Sequence, residues 1–171
     1  DRSNLEIIEI SRNSPFVKQL KKIVQKLGIK KLSFEENDLT VAEFKKLSNQ
    51  LSEIKLIPTQ NRIEDLRKIK TREELFNIRK AAKITDACFA FILKSLKIGI
   101  SESEIAWEIE KFFREHGVNC AFSPIVAFNE NSSQPHYQSS NRSTLHAKSL
   151  ILLDFGAKVE GYCADMTRVV F

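Results

Sequence analysis

The stretch Leu152–Arg168, LLDFGAKVEGYCADMTR, decides how the chain is read. Ile151, Leu152 and Leu153 lead directly into Asp154. A carboxylate inside an apolar strand is costly unless it is paired or binds a cation. Asp165 follows eleven residues later. On one straight strand that odd separation would put the two side chains on opposite faces. The intervening residues carry a turn, so the stretch is expected to be an antiparallel hairpin. With the turn centred between Val159 and Glu160, residues whose numbers sum to 319 face each other, and Asp154 pairs directly with Asp165. Their Cβ atoms would then lie about 4.5–5.5 Å apart. Opposed carboxylates repel, which leaves three resolutions. One of them holds a proton, Arg168 and its neighbours compensate, or a divalent metal sits between them. Paired carboxylates suit hard or borderline ions and can bridge two of them about 3.5–4 Å apart. An unremarkable hairpin serving turns and salt bridges is the bland alternative.

Upstream of the hairpin, Ala121–Phe128 (AFSPIVAF) is strand-like, and the polar segment Asn129–Arg142 carries Pro135, His136 and Tyr137. His136 is the second candidate for chemistry, against the plainer reading of an exposed loop histidine. His116 precedes Gly117 at a helix end, where the macrodipole favours a cation. His146 reads as a surface residue. Cys163 has no histidine partner, so a cysteine nucleophile is not expected.

Further back, Thr71 with Glu74 and Ser101 with Glu104 are capping boxes in front of two helices. The first helix runs on Leu75, Ile78, Ala82, Thr85, Phe89, Ile92 and Leu96 towards Gly99. The second runs on Ile105, Ile109, Phe112 and Phe113 to Gly117. Residues 1–60 alternate strand and helix: a strand at residues 5–10 (LEIIEI), a helix from Ser14 and Pro15 to Leu27, a strand at Ile29–Phe34, a helix at Thr40–Leu51, and a strand near Ile54–Ile57 closed by Pro58. That alternation predicts a small α/β domain with a largely parallel sheet. The charged segment Asn61–Lys70 is expected to bridge two domains.

The chain has 171 residues, 27 Lys plus Arg, 22 Asp plus Glu and a formal net charge of +5. No basic block interleaves with aromatics, so nucleic-acid binding is not expected. No apolar run of membrane-spanning length occurs, so no membrane partner is expected. Three scattered cysteines, Cys88, Cys120 and Cys163, read as reduced, mostly buried thiols of a cytoplasmic protein.

Four stretches together carry a family resemblance. They are Arg67–Glu74 (RKIKTREE), Asn119–Phe128 (NCAFSPIVAF), Asn131–Tyr137 (NSSQPHY) and Leu152–Arg168. With them the chain resembles the proline-specific metallopeptidases of the pita-bread fold, aminopeptidase P and prolidase. The resemblance implies an α/β and α+β chain in two parts. Residues 1–62 would be the back part of a creatinase-like N-terminal α/β domain, and residues 63–171 the first half of the catalytic domain. It implies that Asp154 is the first metal ligand and Asp165 the second, bridging two divalent ions, manganese foremost with zinc or cobalt as alternatives. It implies that His136 hydrogen-bonds near the substrate and stabilises the tetrahedral intermediate, while Tyr162 and Thr167 support the hairpin. The family's remaining ligands, one His and two Glu, lie downstream of such a hairpin. The chain is therefore expected to be partial, and inactive on its own. The implied activity is release of an N-terminal residue that precedes proline from a peptide, by an enzyme that is a homodimer when intact. Alternatives are Xaa-Pro dipeptidase action, a non-catalytic binding module, or the related creatinase and methionine aminopeptidase chemistries.

Overall fold

A computed structural model describes residues 6–171. It divides into two compact units, Asp1–Ile69 and Lys70–Phe171.

In the first unit, helix α1 (Phe16–Lys26) is followed by strand β1 (Lys31–Glu35), helix α2 (Val41–Gln50), strand β2 (Lys55–Thr59) and helix α3 (Arg62–Lys68). β1 and β2 pair in parallel, Leu32 beside Leu56 and Phe34 beside Pro58. Among the described residues this sheet has two strands, both at an edge, where proline is tolerated. Thr40 caps α2 through a full capping box with Glu43, and Val24 and Leu51 are buried. The parallel α/β pattern is as expected, with two differences. Residues 6–10 carry no strand; Leu5 lies outside the described residues. The N-cap of α1 is Pro15 rather than Ser14, without a side-chain cap. The charged segment forms α3, which has no buried residue.

The second unit opens with helix α4 (Arg72–Ser95) and helix α5 (Glu102–Glu115). Both start with the capping boxes read from the sequence, Thr71 with Glu74 and Ser101 with Glu104. Six strands follow: β3 (Asn119–Cys120), β4 (Ile125–Phe128), β5 (Ile151–Phe155), β6 (Ala157–Val159), β7 (Tyr162–Cys163) and β8 (Met166–Val170). A short 3₁₀ helix, Asn129–Ser133, leads out of β4. The strands form two antiparallel three-stranded sheets, ordered β4-β5-β8 and β3-β6-β7. Helix residues Ile92, Ile105, Ile109 and Phe113 pack against Leu153 and Phe155 to form the core. Along β5 and β6 the odd positions 151, 153, 155, 157 and 159 are buried, so the even positions form the other face. Among the described residues no helix is long and apolar enough to cross a membrane.

Gly156 marks the point where one sheet hands over to the other. A Cβ there would lie 1.8 Å from the Ala164 carbonyl oxygen and 3.2 Å from Asp165 Cα. No side chain larger than hydrogen fits, so glycine is what lets the Ala164–Asp165 backbone cross so closely. The next residue is held from the helix side. The buried Thr85 hydroxyl donates to its own helix at Ala81 O (2.9 Å) and accepts from Ala157 N–H (3.0 Å).

Candidate functional site

The hairpin that carries the two aspartates turns at Glu160 and Gly161. Both have positive φ, 47° and 87°, as a two-residue type I′ turn requires. Its register pairs Val159 with Tyr162, Lys158 with Cys163 and Asp154 with Thr167. Facing residues therefore sum to 321, which corrects the expected pairing of Asp154 with Asp165. The reason is visible in Val159. It is buried at 3 % exposure and continues the inward alternation of β5 and β6, so it cannot sit at the turn tip.

The corrected register keeps both carboxylates on one side. Thr167 is directly opposite Asp154, and Asp165 lies two residues before it. The same register runs through the Ala164 N–H bond to Ala157 O (2.9 Å). Asp165 lies between β7 and β8; carried on through it, the alternation of β8 puts Asp165 on the face of Thr167 and Asp154, diagonal to Asp154 rather than opposed to it. The Thr167 hydroxyl donates to Asp154 Oδ1 at 2.8 Å. Arg168, one residue on, donates to the Thr167 carbonyl (2.8 Å). Asp154 is half-buried and Asp165 exposed. Tyr162 braces the hairpin against α4, its hydroxyl donating to Glu74 Oε1 at 3.0 Å. Bonds from the Thr71 amide, then from Tyr162 and the Thr71 hydroxyl, hold the Glu74 carboxyl below its ordinary value.

His136 stands on the loop between β4 and β5, exposed, with φ 57°. It lines a groove of about 590 Å³ with Trp107, Phe122, Pro124, Ile125 and Tyr137. Ile125 is also the β4 register partner of Asp154, so the histidine loop and the first aspartate flank the same strand end. Among the described residues no group of three or more His, Cys, Asp or Glu side chains gathers at one point.

The other candidates resolve simply. His116 Nδ1 bonds to Phe112 O (2.7 Å) and its ring stacks on Phe112, a helix-end role. His146 is exposed. Cys88 is buried, Cys120 half-buried and Cys163 exposed, so the thiols are less uniformly buried than expected. Burial, then the nearby Cys120, pushes the Cys88 thiol up to about 12.

Glu102 is the residue that sequence reasoning missed. It is the first residue of α5, yet it is fully buried. Its Oε1 accepts from Phe128 N–H (2.7 Å) and Asn131 Nδ2 (2.9 Å). Its Oε2 accepts from Tyr137 Oη (2.8 Å) and Ser140 N–H (3.1 Å). Burial alone would raise its pKa, but these four donors outweigh it and hold the carboxyl below its ordinary value. Burial and then the Glu102 carboxylate push the Tyr137 phenol up to about 12, so it stays a donor.

These features sit where family comparisons agree. Metallopeptidase family M24 matches residues 77–171, and the creatinase/prolidase N-terminal domain matches residues 2–69. The chain belongs to metallopeptidase family M24. Among its relatives is the "Uncharacterized peptidase YqhT" of Bacillus subtilis (strain 168), 39 % identical over 148 residues, covering 86 % of this chain and 42 % of the relative. Among solved structures, the Xaa-Pro dipeptidase from Bacillus anthracis superposes with a TM-score of 0.78 at 37 % identity, over 90 % of this chain and 43 % of that one. The X-Pro aminopeptidase from Thermotoga maritima MSB8 gives 0.78 at 32 % identity, over 98 % and 47 %. The first unit of this M24 chain is thus a creatinase-type N-terminal α/β domain, and the second the first half of the pita-bread fold. The chain spans about two fifths of the length of the curated relatives it matches.

Proposed function

We propose that this M24 chain serves a cytoplasmic, metal-dependent Xaa-Pro aminopeptidase, with Asp154 and Asp165 as metal ligands and His136 at the substrate. The observation that carries the reading is the open face of the bent ribbon. Two carboxylates share it inside the region matched to a metallopeptidase family, and one of them is oriented by the Thr167 hydroxyl. Hydrogen bonds of that kind to a ligating carboxylate fix its direction and are part of how metal sites are built.

The donor set suits the metal. Carboxylate oxygens are hard donors that match manganese and accept zinc or cobalt. Family membership implies divalent ions, and Asp154 and Asp165 would hold them as part of a larger ligand set. When bound, such ions lower the pKa of coordinated water to near neutrality and polarise the scissile carbonyl.

The chain's own residues set up the rest. His136, on the rim of the groove, offers an imidazole N–H to the carbonyl oxygen as negative charge develops there, an oxyanion-hole role. Trp107, Phe122, Pro124 and Ile125 give the groove apolar walls, which suit a peptide with proline in second position. Action on longer peptides is preferred over dipeptidase action, and a homodimer is the working assembly. A chimera tests this, with residues 1–171 replacing the matching segment of the X-Pro aminopeptidase from Thermotoga maritima. With Mn2+ it should cleave Ala-Pro-Ala faster than Ala-Pro, and D154N and D165N should abolish the cleavage. Unchanged hydrolysis in D154N would contradict the reading.

A further inference from the structure

The four donors on Glu102 come from Phe128, Asn131, Tyr137 and Ser140, which bracket the loop that carries His136. The same loop is fastened again at the start of α5. Ser103 N–H donates to Ser140 O (3.2 Å), Ser103 Oγ to Ser139 O (2.9 Å), and Glu102 N–H to Ser143 O (3.1 Å). Between these anchors His136 adopts φ 57°. That left-handed conformation is unfavourable for a residue with a Cβ. It persists only where the surroundings over-determine it. The over-determining contact is next door, because Tyr137 is bonded to Glu102.

We propose that Glu102 is the positioning residue for His136. Its buried carboxylate, acting through Tyr137 and the Ser140 amide, holds the imidazole at the groove rim in a backbone state the loop would not keep by itself. The assignment rests on the reading of His136 as the group that meets the substrate, but the placement can be measured without substrate or metal. Among the described residues, Glu102 is the side chain that accepts from residues on both sides of His136, Phe128 and Asn131 before it and Tyr137 and Ser140 after it.

The test is the ring spectrum of the histidines, of which the chain has three. In the ¹³C,¹⁵N-histidine-labelled 171-residue protein, His136 is assigned by its loss in H136Q. E102Q keeps the size of the side chain but turns an amide N–H₂ towards donors. Y137F removes one hydroxyl and leaves Glu102 in place, so it decides the matter where E102Q fails to fold. Both variants should shift or broaden the His136 ring signals while those of His116, at the other end of α5, stay in place. A purely structural Glu102 would lower the melting temperature and leave the His136 signals of folded Y137F superimposed on the wild type. That superposition overturns the proposal. Shifted His136 signals in Y137F, together with hydrolysis by the chimera that D154N leaves unchanged, would uphold the positioning and sink only the peptidase reading.

Discussion

The Thr167 hydroxyl donates to Asp154 Oδ1 at 2.8 Å across the β5–β8 ladder. The residue facing the first aspartate is thus a hydroxyl donor, and the second aspartate sits diagonally. Direct opposition would have set two like charges against each other with no donor between them. The observed register sets a hydroxyl opposite Asp154 and gives that carboxylate a fixed direction.

Thr167→Val removes that donor while keeping side-chain volume on an exposed strand position. Manganese affinity should fall about tenfold to a hundredfold, the usual effect of losing a group that orients a ligand. Thr167→Ser should restore most of it. A Mn2+ titration followed by water-proton relaxation reads the difference, and thermal melting should be nearly unchanged.

Gly156→Ala should be disruptive although the added group is a single methyl. Its Cβ would meet backbone, the Ala164 carbonyl oxygen, at 1.8 Å. The Ala164–Asp165 segment must move away, at a cost of about 1–3 kcal/mol or more by analogy with overpacked cores. Denaturant unfolding should show the loss of stability. Amide shifts should show Asp165 displaced even in the folded fraction.

The fold was largely legible where local signals and tertiary packing agreed. Thr71 with Glu74 and Ser101 with Glu104 announced α4 and α5, and the helix–strand alternation of the first unit announced its parallel sheet. It was illegible where a partner was needed. LEIIEI has strand composition, yet residues 6–10 carry no ladder, since composition supplies no neighbour to pair with. The hairpin register slipped by one position at the turn. Glu160 in a left-handed conformation is an unusual first residue for a type I′ turn, so Gly161 alone marked it. The inward alternation through Val159 was the signal that could have corrected this. For the candidate site, Asp154, Asp165 and His136 rest on a motif pattern in the sequence, and their roles are a proposal. Glu102 was not legible at all, since a glutamate just after an N-cap ordinarily faces solvent and favours the helix dipole. Its burial depends on four donors from residues 128–140.

Acid should loosen the His136 loop through Glu102. Its folded-state pKa lies below the ordinary value, so its contribution is complete above the unfolded pKa, about 4.3. The contribution is lost as pH falls through the lower folded value. Hydrogen exchange at the Phe128 and Ser140 amides should therefore accelerate as the solution is acidified below about pH 4.3, beyond the intrinsic pH trend. In E102Q the same amides should be weakly protected at neutral pH, with no acid step.

The most direct measurement of the central claim is paramagnetic broadening by Mn2+ in the ¹⁵N-labelled 171-residue protein. At the lowest manganese concentrations the amide signals of Asp154, Asp165 and Thr167 should broaden first, and D154N and D165N should each remove that preference. Broadening spread evenly over the surface carboxylates, and unchanged in both variants, would contradict the account.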